Sequence, residues 1–159
     1  MGQQQLLLVI LVTILVGIAT VVAINVFGDA AIQANRDAVR QDLLTASSQA
    51  QAIWARPTAL GGVQGEFDRA SVTNPDFVRL LGIPGAIDDN EITNENAEYT
   101  VTRTETVLTI RAVPLSYGSD LVLTVTRLTT AAPDGSLWRV ELDDEGVSGS
   151  VFLSGAPSS

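Results

Sequence analysis

From Leu6 to Phe27 the chain reads LLLVILVTILVGIATVVAINVF, an apolar run without a charged residue. Its polar members are Thr13, Thr20 and Asn25, and its one helix weakener is Gly17. A helix of these 22 residues is about 33 Å long, the thickness of a bilayer's hydrocarbon core. The pattern changes after Gly28-Asp29 but does not stop. No proline occurs between Gly28 and Ala55, and Ile32, Val39, Leu43, Ala46, Ala50 and Ile53 recur at spacings of seven, four, three, four and three. That is a narrow apolar stripe on one helix face. The other face is expected to carry Gln33, Arg36, Arg40, Gln41, Ser47 and Gln51. Arg56-Pro57 ends the helix, because proline disfavours the α conformation in the residue before it. One helix of about 50 residues, 75–80 Å long, is therefore predicted. Its first half is apolar all round, and its second half is built to lie on a globular domain.

Residues 57–96 read as an irregular region, punctuated by Gly61, Gly62, Gly65, Pro75, Pro84 and Gly85. A short helix is predicted within it, with Asn74 as N-cap, Pro75 as first residue and Gly82 as stop. From Glu98 the period becomes two. Tyr99, Val101 and Arg103 alternate with Thr100, Thr102 and Thr104. Val107–Val113, Leu121–Leu128, Leu137–Leu142 and Val147–Leu153 follow, separated by turn signals such as Pro133-Asp134-Gly135. This predicts four or five antiparallel strands in a meander over residues 97–155, with a frayed tail at 156–159. The fold class is α+β: a long N-terminal helix packed on a C-terminal antiparallel sheet. The chain divides into an apolar helix half (1–27), an amphipathic half (28–56), the irregular region and the sheet. Val39, Leu43, Ala46, Ala50, Ile53 and Trp54 are the candidate residues for helix–sheet packing.

Charge and composition narrow the chemistry. The chain carries 9 basic against 18 acidic residues, and every basic one is arginine. With no histidine and no cysteine, the commonest general base and the usual transition-metal ligands are missing. An acidic chain without clustered Lys/Arg does not attract nucleic acid. Asp88-Asp89-Asn90-Glu91 and Asp143-Asp144-Glu145 are the carboxylate clusters. Neither follows the EF-hand pattern, and both read as turn chemistry. No Gly-x-Ser-x-Gly, P-loop or dinucleotide fingerprint occurs. Trp54 and Trp138 read as packing anchors. The expectation is a protein that is not an enzyme and that has no catalytic, cofactor-binding or metal-binding residues.

A long N-terminal helix, apolar then amphipathic, followed by a variable loop and an antiparallel sheet, resembles the type IV pilin family. The resemblance covers the whole chain in architecture, and its sequence-specific part lies within Met1–Phe27. Typical bacterial pilins carry a glutamate at the fifth mature position. With Met1 as the mature start, Gln5 takes that place; after a two-residue leader ending at Gly2, Leu7 does. Archaeal-type pilins tolerate the glutamate's absence. The resemblance implies the main subunit of an extracellular filament, stored as a precursor in the inner membrane and assembled by pilus machinery. Its partners would be copies of itself, and its shaft would bind no nucleic acid. It implies a filament core packed through Gln5, Leu6, Leu8, Leu11, Ile14, Leu15, Gly17, Ile18, Val21, Val22 and Phe27. The other reading is a monomeric membrane-anchored periplasmic or surface domain, or a minor pseudopilin. Taken alone, the positive-inside rule places the side bearing Arg36 and Arg40 inside.

Overall fold

The computed structural model describes residues 2–116, 118–144 and 147–152, the last group as backbone only. Three sequence expectations lie outside these: the tail at 156–159, the extension of the sheet from 153 to 155, and the turn residues Glu145 and Gly146. Helix α1 runs unbroken from Gly2 to Ala55. By contacts the chain forms two compact units, residues 1–34 and 35–159. The first is the apolar part of α1. The second is α+β, with the rest of α1 packed on an antiparallel sheet, the layout of a pilin-like chain.

The sheet is a meander of seven strands, each paired with the next in sequence. They are β1 (Ala86–Asp88), β2 (Glu91–Thr93), β3 (Ala97–Arg103), β4 (Val107–Pro114), β5 (Leu121–Arg127), β6 (Trp138–Asp144) and β7 (Val147–Phe152). The period-two pattern becomes one buried face. Tyr99, Ala112 and Leu121 form one cross-strand row, and Val101, Ile110 and Leu123 the next. Leu108, Val125 and Val140 form a third. Val39, Leu43, Ala46, Ala50 and Ile53 of α1 are buried in the same core. Burial of Val39, Leu43 and Ile53 stabilises the fold by about 1.5–3 kcal/mol each, and the two alanines contribute less.

The region 57–96 is more ordered than its glycines and prolines suggest. It holds β1 and β2 as well as α2 (Asn74–Leu80). Strands of three residues are too short to print a period-two pattern, and Asp89, at φ 49°, makes their turn without a glycine. The cap of α2 is also corrected. Thr73 is the N-cap; its hydroxyl donates to the Asp76 carboxylate at 2.7 Å and accepts from the Asp76 N–H at 3.4 Å. Asn74 is the first helical residue, and its side chain is engaged by Arg103 and Asp89. Gly82, at φ 73°, follows the helix in the left-handed conformation that favours glycine.

Candidate functional site

Two parts of the molecule hold the candidate residues, one in each unit. In the first unit, the large apolar side chains from Leu6 to Phe27 are all 48–74 % exposed. Leu6, Leu8, Leu11, Ile14, Leu15, Ile18, Val21, Val22 and Phe27 therefore have no cover among the described residues, and Gln5 and Gly17 are exposed with them. A helix turns these positions to every side, so the surface has no polar back. The two threonine hydroxyls do not break it. Thr13 donates to the carbonyls of Val9 and Ile10, and Thr20 to that of Val16, each at 2.8 Å. At Gly17 an added Cβ would meet nothing within 4 Å. The helix is long and apolar enough to cross a membrane, with a mean hydropathy of 3.1 over its most apolar 18 residues. An apolar surface this extensive is stable only against lipid or protein.

In the second unit, polar residues of α1 fasten it to the sheet around the apolar stripe. Arg36 and Arg40 grip the carboxylate of Asp144, Arg40 at 3.0 Å. The Arg36 and Asp144 side chains are only 14 % and 11 % exposed. Ser119 donates its hydroxyl to the same carboxylate at 3.2 Å. Arg36 also donates to the carbonyl of Ser119, at 3.3 Å. Further along α1, Asp42 accepts from the Tyr99 hydroxyl at 2.7 Å and from Asn94 at 3.4 Å. Tyr99 is fully buried. Burial, then its hydrogen bond to the Asp42 carboxylate and the charge itself, push the phenol well above the usual tyrosine range. Asn35 donates to the carbonyl of Asn96 at 3.2 Å and accepts from Ser116 at 2.6 Å.

These contacts correct the reading of the helix's second face. Arg36 and Ser47 do not face solvent: Ser47 is buried and returns its hydroxyl to the carbonyl of Leu44. Arginine's long stem lets a residue at the margin of an apolar stripe reach a carboxylate across the interface. Asp144 is likewise more than a turn residue. No sequence signal joined it to Arg36 and Arg40, which lie more than a hundred positions away.

At the other end of the core, Trp54 packs edge-on against Phe67 and Trp138, with ring centroids 4.6 and 5.5 Å apart. Phe67 also meets Phe77 at 6.1 Å. Arg103 lies over the Phe77 ring at 4.7 Å and donates to the carbonyls of Phe67 and Val72 and to Asn74. Burial lowers its pKa from the ordinary arginine value. It pins the segment before α2 to the sheet, a role that the alternation in β3 does not reveal. Among the described residues no group of three or more carboxylates is placed to hold a metal ion. No family of known sequences, no curated protein and no solved structure matches the chain.

Proposed function

We propose that this chain is the main structural subunit of a type IV pilus-like extracellular filament. Its activity is self-association through Leu6–Phe27, with Asn35–Ala55 holding the outer domain to the same helix. The observation that carries the reading is the uncovered apolar surface of Leu6–Phe27 on a helix that continues, without a break, into the core of an α+β domain. Before assembly, lipid of the inner membrane covers the segment. Hydrocarbon is as apolar as leucine, so close helix packing, rather than escape from water, drives the transfer from membrane to filament. Gly17 and the small side chains of Thr13 and Thr20 permit that approach. Delivery and extension fall to pilus assembly machinery, and the role is structural rather than catalytic.

The mean hydropathy of 3.1 favours one second reading, a monomeric membrane-anchored surface domain or minor pseudopilin. Negative-stain microscopy of sheared cell-surface material, with mass spectrometry of its N-terminal peptide, separates the two. The filament reading expects polymers containing this chain in the sheared supernatant. Recovery only in the membrane fraction, with no polymer, contradicts it.

A further inference from the structure

The meander gives the globular unit two poles. At one, β3 begins, β4 ends and β5 begins, at Ala97, Pro114 and Leu121. At the other, β4 begins, β5 ends and β6 begins, at Val107, Arg127 and Trp138. Strands of seven or eight residues set the poles roughly 20–25 Å apart. The last turn of α1 belongs to the second pole, where Trp54 packs on Trp138.

The first pole presents an apolar knob. Leu115 is 60 % exposed and Val113 39 %. The knob is held in place, because the Leu115 N–H donates to the carbonyl of Asn96 at 3.0 Å and Val113 pairs with Glu98 across the sheet. Glu95 and Glu98 beside it are exposed and form no ion pair among the described residues.

The second pole presents a recess of about 260 Å³, lined by Leu128, Ala132, Pro133, Trp138 and Val140 together with the charged Asp134 and Arg139. Its tryptophan is fixed by Trp54 and Phe67 and by Arg127, which lies 5.1 Å from the ring centre. The arginines add a second asymmetry. Five of the nine hold carboxylates: Arg36, Arg40, Arg69, Arg79 and Arg111. Arg103 is engaged by backbone carbonyls and Asn74. The other three, Arg56, Arg127 and Arg139, form no ion pair among the described residues, and all three lie at the second pole.

We infer that the two poles dock on each other between successive copies of this chain. Leu115 of one copy enters the Leu128–Pro133–Trp138 recess of the next, and Glu95 and Glu98 face Arg127 and Arg139. The inference rests on the filament reading and adds to it a contact between outer domains. Because the two patches differ, the contact propagates instead of closing into a pair. It also places opposite charges together where copies of a chain with net charge −9 would otherwise repel.

The chain has no cysteine, so disulfide trapping reads the contact cleanly. Filaments of the full-length Leu115→Cys/Ala132→Cys variant, oxidised with copper phenanthroline, are expected to give a ladder of dimers, trimers and higher species on a non-reducing gel. Either single variant is expected to give none. Filaments without a ladder overturn this contact and leave the filament reading intact. No filaments from the unaltered chain overturn both. A dimer from Leu115→Cys alone reveals a two-fold contact and overturns the head-to-tail one. In parallel, Glu98→Arg is expected to weaken assembly, and Glu98→Arg/Arg139→Glu to restore it. A double swap as weak as the single variant overturns the charge pairing.

Discussion

Tyr99 gives the core a dependence on alkaline pH. The folded chain holds the phenolic proton more tightly than the unfolded chain, whose tyrosine keeps its ordinary value of 10.0. A pKa raised by folding adds stability that is complete below the unfolded value and is lost as pH rises above it. Thermal unfolding of the detergent-solubilised chain is therefore expected to be flat with respect to this group up to about pH 10 and to fall beyond it. Tyr99→Phe is expected to flatten that fall; an alkaline slope unchanged by the substitution would count against the assignment. Asp144 is the other decisive residue. Asp144→Asn leaves Arg36 half-paired in a site with little access to water. The loss expected in denaturant titration is about 2–3 kcal/mol, below the full cost of breaking a buried pair because Arg40 remains partly solvated. A loss under 0.5 kcal/mol, the scale of an ordinary surface substitution, would show that the pair does not fasten the helix. Neither residue's partner was legible in the sequence. Tyr99 could be placed on a strand and Asp144 in a turn, but what each meets on α1 depends on how helix and sheet are set against each other. Periodicity carries no such information.

The elements were more legible, in proportion to their length. Helix α1 showed itself twice, by an unbroken apolar run and then by a stripe at helical spacing, and Arg56-Pro57 marked its end. Strands β3 to β7 each contain six residues or more, enough for alternation or β-branched enrichment to register. Strands β1 and β2 stayed hidden because three residues carry no period, and their turn uses Asp89 where a glycine would have been a signal. The cap of α2 was misplaced by one residue because Thr73 and Asn74 are both good caps, and only the structure shows Asn74 occupied by Arg103. Leu11→Arg adds one charge to a surface that has none, and Gly17→Leu adds bulk where the proposed packing needs close approach. Both are expected to abolish filaments in sheared material while the chain remains in the membrane fraction. Normal filaments from Leu11→Arg would sink the packed-core idea.

At the scale of the whole molecule, two surfaces have no cover among the described residues. One is the apolar length of Leu6–Phe27; the other is the pair of unlike poles on the globular unit. Lipid alone answers the first and leaves the second unexplained. In the proposed polymer of identical subunits, the segment would meet its own copies in the core and the poles would meet in the shell. The measurement that tests this most directly is a helical reconstruction by electron cryomicroscopy of the material sheared from cells that make the protein. The account predicts a filament whose central density is a bundle of α-helices into which residues 6–27 build, with residues 35–144 forming the outer layer. A filament built from another protein, with this chain confined to membranes as a monomer, would contradict it.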